Sequence, residues 1–132
     1  MKKLIAFIII FGGLTFPKIS FGQSTQYIGH YLEKSQIKHD TLIDKTTGIR
    51  FILNKSRVFI VAIDKNGKLL WKANPVADNK LEEYRTKKPV IVYFEFDLDK
   101  FRNKQVIAIG YNNTQFGYID KTTGHFTFRG QD

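Results

Sequence analysis

The chain has 132 residues, with 21 lysines and arginines against 12 aspartates and glutamates, and no cysteine. That length suits one hydrophobic core, and the missing cysteines exclude both a disulfide scaffold and a thiolate metal site. A net charge of +9 draws the chain to anionic surfaces without specifying one.

Residues 1–22 carry the three parts of a secretory signal: a basic start at Lys2 and Lys3, an apolar run over 4–16, and a short polar exit. The run is 13 residues long, short of the roughly 20 that a bilayer-spanning helix needs, so no transmembrane span is expected in the mature protein. Ser20 and Gly22 place small side chains three and one residues before a cut, and cleavage is expected after Gly22. The expected product is exported, periplasmic or secreted, and consists of one β-rich domain over 23–132. Lys2, Lys3 and Lys18 leave with the signal, so 18 basic residues face 12 acidic ones and the mature charge is +6.

Residues 23–40 admit two readings, because Ile28, Tyr31 and Leu32 fit a helical face while Ile37 and Leu42 fit an extended edge. From residue 41 onward, short runs rich in Val, Ile, Phe and Tyr end in Asp, Asn or Gly turns, which is the pattern of successive β-hairpins. Strands are predicted over 41–43, 49–53, 57–63, 68–73, 89–98, 105–111, 115–119 and 125–129. Val90, Val92, Phe94, Phe96 and Leu98 should share a core face opposite Glu95 and Asp97. The run 58–63 is apolar on both faces and predicts a strand covered on both sides, by 24–36, by 76–88 or by a second sheet. Asn79 and Glu82 resemble a capping box, predicting a short helix that carries Leu81 and Tyr84 inward. Trp71, the single tryptophan, should join the core with Leu69 and Ala73. The expected fold is mainly β: an antiparallel meander of about six to eight short strands, forming a small sandwich or partly open barrel, with one or two short helices.

Three turns repeat one chemistry: Asp44-Lys45-Thr46-Thr47-Gly48, Asp64-Lys65-Asn66-Gly67 and Asp120-Lys121-Thr122-Thr123-Gly124 each follow an isoleucine. The aspartate can accept a backbone N–H two residues on, and the final glycine takes the positive φ that closes the loop. The stretch Val61-Ala62-Ile63-Asp64-Lys65-Asn66-Gly67-Lys68-Leu69-Leu70-Trp71-Lys72 resembles one hairpin of a quinoprotein-type β-propeller repeat, and 118–125 resembles it more faintly. The likeness spans about a dozen residues and rests on the turn. Even four blades of about 40 residues each would exceed the chain, so a whole propeller is excluded and no cofactor is implied.

No spacing of site residues names a reaction. Glu95, Asp97 and Asp99 alternate along one strand, too far apart for the oxygen cage of a calcium site and suited to a solvated face. The Asp64 loop lacks the turn glycine and bidentate acid of an EF-hand. His30, His39 and His125 have no metal-ligand spacing, and no nucleophile elbow or phosphate loop occurs. Catalytic, metal and cofactor residues are therefore expected to be none. Tyr93, on the polar side of its strand, and Tyr111, beside Asn112 and Asn113, are the aromatics expected to meet a partner.

The basic residues gather in two groups, Lys80, Arg85, Lys87 and Lys88 before the long strand and Lys100, Arg102 and Lys104 after it, roughly 30 Å apart. Arg85, Lys87 and Lys88 join the two tyrosines as candidate partner residues. The partner expected is an envelope protein or an anionic glycan or lipid surface; without a basic stripe interleaved with aromatics, nucleic acid is not expected. The function this favours is a small exported non-enzymatic binding module. The alternatives are an inhibitor or immunity-type protein, and a carboxylate-dependent hydrolase pairing Glu95 or Asp97 with His39 or His125.

Overall fold

In a computed structural model of the chain, the structure describes residues 37–132. The expected signal peptide, its cleavage site, His30 and most of the ambiguous segment 23–40 lie outside these residues. Eight strands and one helix follow in order: β1 (Thr41–Ile43), β2 (Arg50–Leu53), β3 (Ile60–Ile63), β4 (Leu69–Ala73), α1 (Pro75–Asp78), β5 (Ile91–Asp99), β6 (Lys104–Tyr111), β7 (Phe116–Ile119) and β8 (Phe126–Gly130). They form two four-stranded antiparallel sheets, β1-β2-β3-β4 and β5-β6-β7-β8, in which each strand pairs only with its chain neighbours. The fold is therefore two packed meanders rather than a closed barrel.

One core joins the sheets. Phe51, Ile60 and Ala62 of the first are fully buried, as are Ile91, Ile107, Ile109, Tyr111 and Ile119 of the second, with Phe94 almost so. Phe51 sits at the junction, tilted against Trp71 at 5.8 Å and meeting Phe96 edge-on at 6.0 Å. Trp71, expected in the core, is half-buried and packs against it, and its indole Nε1 donates to the Lys121 carbonyl at 2.9 Å, tying the first sheet to the β7–β8 turn.

Several expectations need correction. β3 begins at Ile60 because Arg57 has a φ of +58° and the Asn54 side chain accepts the Val58 and Phe59 amides, so those donors serve a turn instead of a ladder. Its second face is only partly covered: Phe59, Val61 and Ile63 are half-buried, with the Lys72 ammonium 3.9 Å over the Phe59 ring. A register shift at Ala62/Ile63 breaks the alternation opposite, leaving Leu69 exposed rather than beside Trp71 in the core. Along β5 a second shift between Ile91 and Tyr93 brings Ile91 inside, while Leu98, expected on the core face, is 48 % exposed.

The helix is Pro75–Asp78, not a segment begun by Asn79. Asn74 caps it, accepting the Ala77 amide while donating its own N–H to the Asp78 carboxylate at 2.8 Å, and Pro75 supplies a preset φ in the first turn. Asn79 ends it. Val76 and Leu81 pack on the core, so this segment closes one end of the sandwich.

Candidate interaction surface

The meander topology sends alternate turns to opposite ends. The near end carries the β1–β2, β3–β4, β5–β6 and β7–β8 turns, and three contacts show that they converge. Lys121 of the β7–β8 turn donates to Asp44 Oδ2 at 2.6 Å and to Gln105 Oε1 at 2.7 Å, and Gly48 lies against the Lys65 side chain. The far end holds the β2–β3 and β6–β7 turns and the 74–90 connection. There Ile91 donates to the Arg57 carbonyl and Val90 to the Asn112 side chain.

Each near-end turn is wound around an aspartate. Asp44 accepts the Thr46 and Thr47 amides, Asp64 those of Asn66 and Lys68, and Asp120 those of Thr122 and Thr123. Gly48, Gly67 and Gly124 close them with φ of +73°, +86° and +75°. Asp99 builds a fourth such turn, accepting from the Phe101 and Arg102 amides, but Asn103 at φ +49° stands where the others have glycine. The carboxylates are thus turned back into their loops. Asp99 is 1 % exposed and takes the Arg129 guanidinium at 2.9 Å, while Arg102 approaches at 3.8 Å.

Apart from Lys121, the basic residues within these turns and at their edge are open to solvent: Lys45, Lys65, Lys68, Lys100 and Arg102 are all exposed. Among them stands Phe101, at the apex of the β5–β6 hairpin and 93 % exposed. Leu98, three residues earlier, is 48 % exposed. A fold gains nothing by leaving a phenylalanine wholly in water, since its burial is worth about 1.5–3 kcal/mol. The hairpin below it is well anchored: Arg129 lies 4.8 Å over the Tyr118 ring and 5.8 Å from the Phe101 ring, and Tyr118 donates to Asp97 at 3.3 Å.

Ion pairs fix how the end responds to acid. The Lys121 hydrogen bond holds Asp44 below the usual carboxylate range, against the upward push of burial and with help from the Thr46 amide. Burial pushes Asp120 upward too, but the bond from Lys104 and the Thr122 and Thr123 amides together outweigh it and leave the group lowered. Above the ordinary value of 3.8 both folded and unfolded carboxyls are ionised and the contribution to stability is constant. Below it the unfolded chain binds protons first, so stability falls with pH and is lost through the lowered folded values. Asp44→Asn should therefore cost about 1–2 kcal/mol at neutral pH and flatten the acid limb of a melting temperature against pH curve; an unchanged limb would show that the Lys121 pair does not matter.

Beside this end a cleft of about 240 Å³ is lined by Ile43, Asp44, Lys45, Thr46, Phe96 and Gln105. Asp44 and Gln105 already bind Lys121, which leaves Lys45 and Thr46 as the exposed polar side chains of the cleft.

The residues expected to meet a partner are not brought together. Tyr111 is fully buried, a correction to its expected exposure. Its polar neighbours misled: Asn113 is itself 1 % exposed, bonded to Gln115, whose amide in turn donates to the Glu82 carbonyl and covers the turn. Burial pushes the Tyr111 hydroxyl far above the ordinary tyrosine range, and the Asp78 charge adds to that. Tyr93 is half-buried on the outer face of the second sheet, its proton held by burial and then by the charges of Glu95 and Asp97. Arg85, Lys87 and Lys88 are exposed on the 79–90 stretch at the far end, with Arg85 5.1 Å over the Tyr84 ring.

The carboxylate and histidine pairs are likewise separated. Asp97 is on β5 and His125 precedes β8, three strand spacings or about 14 Å across the sheet. His39 precedes β1 at the far end. Among the described residues no three His, Cys, Asp or Glu side chains cluster to hold a metal ion, and no helix is long and apolar enough to cross a membrane.

Sequence reasoning passed over Phe101, although the signal was present: an aromatic inside a turn, in Lys100-Phe101-Arg102-Asn103-Lys104. No protein-family model, curated protein or solved structure matches this chain.

Proposed function

We propose that the chain is a small exported, non-enzymatic binding module that meets its partner through the near end of the sandwich. Phe101 carries this reading: a phenylalanine 93 % exposed at the apex of an anchored hairpin, between Lys100 and Arg102 and with Arg129 over its ring. Export is supported by the signal-like residues 1–22, and the basic surface fits an anionic partner outside the cytoplasm.

Expressed with its own N-terminus, the protein is expected outside the cytoplasm beginning at Gln23. Immobilised, it should retain material from a cell-envelope extract in a way that Phe101→Ser combined with Arg102→Glu abolishes, while Lys87→Glu with Lys88→Glu at the far end changes little. Retention that ignores both pairs of substitutions, or none at physiological salt, would refute the reading.

A further inference from the structure

We infer that the partner of this end is an anionic lipid bilayer, with the Phe101 ring entering the boundary between headgroups and acyl chains and the neighbouring cations resting on phosphates. The inference builds on the binding-module reading and names its partner.

The first support is shape. Phe101 stands at the tip of the β5–β6 hairpin, 93 % exposed, with the Arg129 guanidinium 5.8 Å over its ring and no pocket closed around it. A protein partner would have to supply the whole cavity for that ring. A bilayer interface supplies an apolar layer at fixed depth under a charged one, and Leu98, 48 % exposed on the same hairpin, is placed to follow the ring inward.

The second support is charge on the same end. Lys45, Lys65, Lys68, Lys100 and Arg102 are exposed on the turns that share this end. The four turn aspartates stay charged while they accept loop amides, but these five cations together with Lys104 and Lys121 outnumber them, so this end is net positive. Cations around an apolar apex complement an anionic lipid leaflet better than they complement a linear acidic glycan, which would bind the charges and leave the ring in water.

The third support is rigidity. Asp99 fixes the hairpin through two loop amides and Arg129, so the ring is displayed before contact and little conformational freedom remains to be lost. With one inserted side chain the association should be weak, reversible and salt-sensitive.

The absence of native cysteine permits a direct test. Phe101→Cys on the hairpin tip and Lys55→Cys in the far-end β2–β3 turn are each labelled with a polarity-sensitive dye, whose apolar body at 101 takes the place of the ring, and the purified proteins are mixed with vesicles of phosphatidylglycerol and phosphatidylcholine or of phosphatidylcholine alone. Blue-shifted emission is expected at 101 and not at 55, and only with the anionic vesicles. In sedimentation of unlabelled protein, Phe101→Ser should weaken vesicle binding about tenfold or more, and Arg102→Glu about fivefold or more. Equal binding to both vesicle types, or binding without a shift at 101, overturns the inference. Capture on heparin beads but not on vesicles also overturns it while leaving the binding-module reading intact. Silence toward vesicles, heparin and envelope extract alike removes both.

Discussion

Phe51→Ala is expected to destabilise the protein by about 3–5 kcal/mol, the scale for emptying a fully buried phenylalanine site. Phe51 is 0 % exposed and lies in the inner row with Leu42 and Ala62, where it supports Trp71 on its own sheet and Phe96 on the other. Removing the ring therefore leaves a void at the place where the meanders meet. Small domains are stable by only about 5–15 kcal/mol, so the loss is a large share of the total. Trp71 is the single tryptophan and touches this ring, so its emission reports the event: urea unfolding should show a much lower midpoint and a red-shifted native spectrum. Phe51→Leu, which keeps most of the volume, should cost clearly less. If alanine and leucine behave alike, the ring is not the keystone of the interface.

Gly117→Ala is the second large effect, expected at about 3 kcal/mol. The reason is close approach rather than backbone freedom. A Cβ at this position would lie 2.3 Å from the Thr127 carbonyl oxygen and 2.5 Å from two atoms of the Phe126 ring. The ring could swing away, but the carbonyl belongs to β8 and can retreat only if the pairing with β7 is loosened. Adding Phe126→Leu should thus recover little of the loss. Gly67→Ala is the informative contrast, because nothing lies within 4 Å of it and only its φ of +86° opposes a side chain, a cost of about 1–2 kcal/mol. Denaturation that ranks Gly67→Ala as the more damaging would contradict the packing of β8 on β7.

All eight strands were legible because their signals are local: alternating side chains between aspartate and glycine turns whose hydrogen bonds close within five residues. What escaped was set over long range. Nothing near Tyr111 announces that Glu82, 33 residues before Gln115, will seal the turn above it. The aspartate of the β5–β6 turn looked like one of three solvated carboxylates, and only the return of Arg129 thirty residues later shows it to be buried. The helix was misplaced for a nearer reason: Asn74 and Asn79 are both plausible caps, and Pro75, which can occupy the first turn but not the interior, decides between them. The candidate surface was half visible. Its lysines and Phe101 stand in the sequence, but their gathering at one end depends on Lys121 reaching Asp44 across 77 residues.

The neighbour-only strand order also bears on how fast this architecture can assemble. Each ladder zips from a tight bend, and the loop closures needed before the meanders dock are short, with the 74–90 connection the longest. Sequence separation is short within each meander, which favours rapid zipping of the ladders, whereas docking the two sheets joins residues as distant as Lys121 and Asp44, 77 positions apart, and is expected to be the slower step. With no cysteine in the sequence, no disulfide has to form or rearrange along the way.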